Sequence, residues 1–348
     1  MAKKQEANDN LPLLKAAIRD KNIGRLYVFH GEEVFLLHHY FNQLRKQLID
    51  PLTESFNYHK FTAENFDIPE FADAVENLPM MAECTMTWVD DVDIFKMNEA
   101  DRDKIADILG DIPDYCTVIF TYETAQWKPD KRMKKLWDAV EENGLVVEFV
   151  KQSQRDLIAW VTRHFAAEHK QISQELCAYL IDITGGTMTA LKGEISKIAA
   201  FSGADAIVKS DIDAVTEPVL DAAVFQMTNM ISDGRYGQAL EKLHQLLKMQ
   251  EDPLLILGAI GGHFRRMGTA RTLLDYGRSA SELMQLYNIS DYAARKTMSA
   301  AGKFSASFYR KTAELLLETD RQMKTSYDTQ ERLLEMLILQ IAQEARNG

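Results

Sequence analysis

The sequence predicts an α/β domain with a mostly parallel sheet, followed by a small helical domain and a larger all-helical domain. Strand and helix patterns alternate through the first part of the chain, whereas no strand pattern of comparable length follows Ser153. The length of 348 residues also exceeds what one ordinary core accommodates. The predicted domains are 1–150, 151–215 and 216–348.

The elements of the α/β part follow from hydrophobic periodicity and from glycine and proline punctuation. They are, in order, a helix over 11–18, a strand Leu26–His30, helices over 32–49 and 68–78, a strand Thr85–Asp91, a helix over 101–109, a strand Tyr115–Tyr122, a helix over 131–143 and a strand over 145–150. Such alternation predicts parallel strands with helices on both faces of the sheet.

The rest of the chain has helical patterns only. Ser153 is a suitable N-cap for a helix over 153–169. Helices over 172–184 and 189–203 follow, separated by two glycines. Thr216–Pro218 is a plausible hinge, and the last helix is predicted to run from about Ala306 to the C-terminus.

The charge of the chain is unevenly distributed. The formal net charge is −12, yet residues 216–348 carry equal numbers of basic and acidic side chains. Residues 1–215 therefore carry the whole excess of acid and should repel a phosphate backbone. Any contact with DNA is expected to be local and to lie in the C-terminal half.

The composition also limits the location and the cofactors. No apolar run approaches the ~18 residues that span a bilayer, and the N-terminal MAKKQEANDN does not look like a secretory signal. Cys84, Cys116 and Cys177 lie far apart, without metal-ligand spacing. The expectation is a cytoplasmic protein with reduced thiols, no metal, no cofactor and no membrane association.

A motif for phosphate binding is missing where it would be expected. A strand that leads into a helix near the N-terminus is where GxxxxGK[ST] cradles a nucleotide. Here the turn reads HGEEVFLLH; Gly31 is present, but Glu32 and Glu33 would repel phosphate and no Lys-Ser/Thr follows. Asp90 and Asp91 imitate a Mg²⁺-binding strand end, but a solvated turn is the preferred interpretation.

Four segments resemble the bacterial clamp-loader delta subunit family of DNA polymerase III. They are LYVFHGEEVFLL (26–37), ENLPMMAECTMTWVDD (76–91), GGTMTALKGEISKIAAFSG (185–203) and the stretch from FQMTNMISDG to GGHFRRM (225–267). The resemblance covers nearly the whole chain. It implies an AAA+-like domain without an ATPase site, a lid-like helical domain and a C-terminal oligomerisation collar.

The resemblance also implies functional positions. The family inserts two exposed apolar side chains into a pocket on the sliding clamp, and Met80 and Met81, next to Leu78, occupy the matching positions; core packing is the alternative. Tyr327 matches an aromatic residue that faces the primer–template junction, with Arg321 and Lys324 as candidate phosphate contacts. A half-buried tyrosine in an amphipathic helix is the alternative for Tyr327.

The preferred function is therefore that of a non-enzymatic subunit that binds and opens the beta sliding clamp for loading onto primed DNA. Its implied partners are the clamp, the tau/gamma ATPase subunits, the delta-prime subunit and primer–template DNA, and polymerase activity would belong to the holoenzyme alone. No catalytic residues are predicted. A divergent AAA+ ATPase and a helical scaffold or regulatory protein remain as alternatives.

Overall fold

The computed structural model describes residues 10–347 and divides the chain into two compact units after Gln152. The N-terminal stretch assessed for a secretory signal lies outside the described residues, apart from Asn10. No helix within residues 10–347 is both long and apolar enough to cross a membrane.

The first unit is an α/β domain around one parallel sheet. Its elements are α1 (Leu11–Asp20), β1 (Leu26–His30), α2 (Val34–Leu48), α3 (Glu54–Asn57), β2 (Tyr58–Thr62), α4 (Ile68–Glu76), β3 (Thr85–Asp90), a 3₁₀ turn (Ile94–Lys96), α5 (Glu99–Gly110), β4 (Cys116–Tyr122), α6 (Lys134–Asn143) and β5 (Gly144–Glu148). The strand order is β2-β3-β4-β1-β5, and every pairing is parallel. This arrangement confirms the predicted α/β domain with a parallel sheet.

The sheet separates two hydrophobic cores because successive side chains of a strand point to opposite faces. Tyr27 and Phe29 of β1 belong to one core, while Leu26 and Val28 belong to the other. All seven residues of β4 are buried. Burial on both faces explains why β1 and β4 appear in the sequence as continuous apolar runs.

The second unit, residues 153–348, is helical throughout its described part. Its helices are α7 (Gln154–Ala167), α8 (Gln174–Ile183), α9 (Met188–Phe201), α10 (Lys209–Val215), α11 (Leu220–Ser232), α12 (Tyr236–Lys248), α13 (Pro253–Asp275), α14 (Ala280–Tyr287), α15 (Asp291–Ala301), α16 (Ala306–Thr325) and α17 (Gln330–Asn347). The backbone N–H of Asp156 donates to Ser153 Oγ at 3.2 Å, which confirms the predicted N-cap. One continuous core joins helices α11 to α17.

Three elements differ from the sequence prediction. The edge strand β2 and the short α3 before it were not predicted, because Tyr58–Thr62 shows no clean alternation of apolar and polar residues. The predicted continuous last helix is wrong: α16 ends at Thr325 and α17 begins at Gln330. Residues 153–215 belong to the same compact unit as the later helices, so the division at 215/216 stays a prediction.

Candidate functional site

The loop of residues 77–84 connects α4 to β3 and carries the predicted apolar pair. Helix α4 ends at Glu76, as expected with Pro79 nearby, because proline disfavours helical geometry in the residue before it. The exposed fractions of Leu78, Met80 and Met81 are 72%, 53% and 93%. The methionines thus lie on a loop and face solvent, which disagrees with the core-packing alternative.

The middle of this loop is held by a buried side chain from α3. Asn57 is completely buried, and its Nδ2 donates to the Met80 carbonyl at 2.9 Å. The Met80 N–H in turn donates to Asn57 Oδ1 at 2.7 Å. A second hydrogen bond from Nδ2 reaches the Thr53 carbonyl at 3.2 Å. Both backbone polar groups of Met80 are therefore satisfied by one carboxamide.

The two ends of the loop are held by residues from other elements. The Tyr115 hydroxyl donates to the Glu76 carbonyl at 2.9 Å. Cys84 Sγ donates to the Leu48 carbonyl at 3.1 Å. The loop is thus attached at its beginning, middle and end, while its apolar side chains stay exposed.

The backbone turns at Met81, which has a left-handed conformation with φ of +53°. For a residue with a Cβ this conformation costs roughly 1–2 kcal/mol. Such a conformation persists only when its surroundings hold it, and residues of this kind cluster where proteins bind ligands or partners. The attachment of Met80 on one side and Cys84 on the other supplies this restraint.

Sequence reasoning missed the contribution of the segment before the loop. Asn57 was not singled out, and neither were Leu52 and Phe56, whose exposed fractions are 89% and 55%. The signal available was weak: Phe56, Tyr58 and Phe61 favour a strand by residue type, but without clean alternation. Nothing local shows that Asn57 bonds to a residue 23 positions away.

The strand end where a nucleotide would bind is closed by the chain itself. Gly31 has a φ of +125°, and a Cβ at this position would lie 2.3 Å from the Phe149 carbonyl oxygen. The Glu33 N–H, at the start of α2, donates to that same carbonyl at 2.9 Å. Glu32 pairs with Lys151 at 3.0 Å. The Glu33 amide at the start of α2 and the space beside Gly31 are therefore taken by the backbone of Phe149.

Asp91, beyond the end of β3, organises a neighbouring loop. Its carboxylate accepts hydrogen bonds from the backbone N–H groups of Glu123, Thr124 and Ala125 and from Thr124 Oγ1. Burial opposes ionisation, but these hydrogen bonds outweigh it and lower the pKa of Asp91. Asp91 is thus a hydrogen-bond acceptor that holds residues 123–125 from a partly exposed turn. No cluster of three metal-binding side chains occurs in the described part of the chain.

The loop between α16 and α17 carries the second predicted contact. Tyr327 is fully exposed in this loop and does not lie in a helix, so the half-buried helical alternative is wrong. Lys324 Nζ pairs with Asp320 Oδ2 at 2.8 Å, and Arg321 pairs with Glu318 at 2.7 Å. The structure therefore presents an aromatic ring whose two neighbouring cations are each paired with an acidic side chain.

Two family models match this chain, one for each unit. The model described as "DNA polymerase III, delta subunit" matches residues 27–150, and the model described as "DNA polymerase III delta subunit, C-terminal domain" matches residues 221–341. Together they cover well over half of the sequence. The chain belongs to the DNA polymerase III delta subunit family. The loop of residues 77–84 lies within the match over 27–150, and Tyr327 lies within the match over 221–341.

Individual members of the family can be aligned with this chain over most of their length. The chain is 23% identical to DNA polymerase III subunit delta of Bacillus subtilis over 331 residues, covering 93% of this chain and 95% of the relative. It is 19% identical to a probable DNA polymerase III subunit delta of Aquifex aeolicus, covering 77% and 76%. The solved structure of the Bacillus subtilis DNA clamp loader delta protein superposes with a TM-score of 0.58 at 20% identity, covering 96% and 99%. At this identity the superposition shows a shared fold.

Proposed function

We propose that this chain is the non-ATPase delta subunit of a bacterial clamp loader and that it binds and opens the beta sliding clamp through Met80 and Met81, with Leu78 at the edge of the contact. The observation that carries the proposal is an exposed apolar pair on a loop that is attached at three points. Exposed apolar side chains on an ordered loop are typical of a protein-binding surface. Methionine suits an irregular apolar pocket because its side chain is unbranched and polarizable.

The energy available from this pair is sufficient for a specific contact. Complete burial of two fully exposed side chains of this kind would contribute about 3–6 kcal/mol before ordering costs are subtracted, and the pair contributes somewhat less because Met80 is already about half buried. The ordering costs are small here because the backbone at Met80 is already held by Asn57. The direct test is a titration of the isolated chain with the beta sliding clamp by calorimetry, for which we expect saturable binding.

The proposal includes the absence of ATPase activity in the isolated chain. A divergent AAA+ ATPase would need backbone amides and space at the end of β1, and the Phe149 carbonyl already bonds to the Glu33 amide and lies against Gly31. A filter-binding assay with labelled ATP is expected to detect no saturable binding below the millimolar range. Saturable binding in that range would favour the ATPase alternative.

The second unit is proposed to assemble with the tau/gamma ATPase and delta-prime subunits through residues 216–348, the proposed collar. Met336 and Leu339 of α17 are half-exposed, while much of the apolar band of this helix is buried within the unit. A truncation that lacks 216–348 should fail to join the ATPase subunits. A helical scaffold unrelated to replication would show neither this assembly nor clamp binding.

The loop that carries Tyr327 is proposed to contact primer–template DNA within the assembled loader. An exposed ring offers a stacking surface for an unpaired base, and Lys324 and Arg321 offer weaker phosphate contacts because acids already pair with them.

The proposal assigns any polymerase activity to the holoenzyme and none to this chain. It also assigns the chain to the cytoplasm, where bacterial replication takes place.

A further inference from the structure

Asn57 is a fully buried polar side chain that contacts the loop of residues 77–84, here called the methionine loop. Two of its hydrogen bonds join its carboxamide to both polar groups of the Met80 backbone, at 2.9 and 2.7 Å. A reciprocal pair of this kind fixes the orientation of the peptide groups on either side of Met80. The left-handed turn at Met81 follows immediately.

The anchor is itself well fixed. The Asn57 N–H donates to the Thr53 carbonyl at 3.2 Å, and the side chain bonds to the same carbonyl. Glu54, at the start of α3, forms an ion pair with Arg45 of α2. The Arg45 guanidinium also lies 4.6 Å from the centre of the Tyr58 ring. A short helix with these attachments cannot shift freely relative to α2 and β2.

We infer that Asn57 is a positioning residue for the clamp contact: its carboxamide holds Met80 and Met81 in the conformation that enters an apolar pocket on the sliding clamp. This inference rests on the proposed function of the loop. Asn57 does not touch the clamp in this arrangement, because it is completely buried. Its effect on binding is indirect and passes through the backbone of Met80.

The physical reason is the population of the competent loop conformation. Without the carboxamide, the polar groups of Met80 would bond to water and the left-handed turn at Met81 would relax. The apparent dissociation constant rises in inverse proportion to the fraction of molecules that keep the competent conformation. If about one molecule in ten keeps it, binding weakens about tenfold.

The test compares Asn57→Ala with the wild-type full-length chain in a calorimetric titration with the beta sliding clamp. The matched control is Val140→Ala, which also truncates a completely buried side chain of the first unit but lies on α6. We expect about tenfold weaker binding for Asn57→Ala and wild-type affinity for Val140→Ala. If Asn57→Ala does not fold, Asn57→Ser, which keeps a hydroxyl, replaces it.

A second measurement separates positioning from general stability. Amide hydrogen exchange of Asn57→Ala should speed up in residues 77–84, where Met80 loses its acceptor, while β3 and β4 keep their protection. Combining Asn57→Ala with Met80→Ala and Met81→Ala should weaken binding no further than the methionine substitutions do, because the effect of Asn57 acts through those side chains.

The outcomes distinguish this inference from the proposed function. Wild-type affinity in a folded Asn57→Ala variant overturns the positioning role and leaves the methionine contact standing. An equal loss of affinity in Val140→Ala also overturns it, since the loss would then follow stability. Absence of binding by the wild-type chain, which the first titration detects, overturns both.

Discussion

The two loops that carry the candidate contacts differ in how they are held. The loop of residues 77–84 is attached by hydrogen bonds to residues 23, 36 and 39 positions away in the sequence. The described contacts within the loop of residues 326–329 are local: Ser326 with Asp328, and Asp328 with Arg332 four residues further on. Both loops nevertheless expose large side chains, Met81 and Tyr327, almost completely.

The difference indicates what kind of partner suits each loop. A loop with long-range attachments presents its side chains in one arrangement, which lowers the ordering cost of docking into a pocket of fixed shape. A loop with local contacts can adjust, which suits stacking on a base whose position varies. We therefore expect the methionine loop to provide affinity and the tyrosine loop to provide a response to DNA.

The largest effect is expected for Met80→Ala combined with Met81→Ala. Losing half of the burial energy of the pair corresponds to one or two decades of affinity at ~1.4 kcal/mol per decade, which abolishes practical clamp binding. Because both side chains are exposed, the melting temperature should change by only a few degrees. Calorimetry and a clamp titration measure the two quantities.

Met249→Ala combined with Met336→Ala is the matched control, since these methionines have similar exposed fractions to Met80 but lie in the second unit. This control should bind the clamp as the wild type does. A large loss of stability with retained affinity in the Met80 and Met81 variant would show that the two residues are core and that the contact lies elsewhere.

The unit that carries the tyrosine loop should respond to acid through His263. This side chain is buried against Phe225, its Nε2 has no hydrogen-bond partner among the described residues, and burial lowers its pKa to about 3. The unfolded chain binds this proton near the ordinary pKa of ~6.5 and the folded chain does not, so stability falls as the pH falls from 6.5 towards 3.

The comparison of wild type with His263→Leu isolates this effect. Between pH 7 and pH 5 the wild type should lose roughly 2 kcal/mol more of its unfolding free energy than the variant. Denaturant unfolding at the two pH values measures it. Burial also lowers the pKa of His30 in the first unit, to about 4. His30 is present in both proteins, so its contribution cancels from the difference in unfolding free energy. If the wild type and His263→Leu lost the same unfolding free energy between the two pH values, His263 would be protonated without penalty in the folded state.

A moderate effect is expected for Tyr327→Ala in the assembled loader. Base–aromatic stacking contributes ~1–3 kcal/mol, so about tenfold more primer–template should be needed to stimulate the ATPase subunits. Clamp binding should be unchanged. Tyr327→Phe should retain the stimulation, and Tyr276→Ala, which removes another exposed tyrosine of the second unit, is the control. Unchanged stimulation in Tyr327→Ala would leave this loop without a DNA role.

The smallest effect is expected for Lys324→Ala. Since Lys324 already pairs with Asp320 at 2.8 Å, its charge is largely compensated, and we expect less than about threefold weaker binding of primer–template, with a change in the salt slope below about one. Asp320→Asn frees the ammonium and should strengthen binding slightly. A Lys324→Ala effect larger than that of Tyr327→Ala would reverse the proposed roles of stacking and phosphate contact.

The sequence by itself determined the general architecture and part of the candidate site. Burial on both faces makes β1 and β4 continuous apolar runs, so these strands and the parallel sheet could be predicted. The loop position of Met80 and Met81 followed from Pro79 through a local steric rule. The absence of a phosphate-binding motif could also be read from the sequence, because such a motif consists of particular residue types directly after one strand.

Only the tertiary structure decided the details that hold and present the contacts. Strand β2 forms because β3 offers a pairing edge, although its own pattern is weak. The break at residues 326–329 contains neither glycine nor proline, and its only signals were the cap-type residues Ser326, Asp328 and Thr329, of which Thr329 accepts a hydrogen bond from the Arg332 N–H at 3.4 Å. The hydrogen bonds between Asn57 and Met80 exist because folding brings α3 and the loop together. Periodicity reports local geometry, whereas such pairings depend on how distant segments meet.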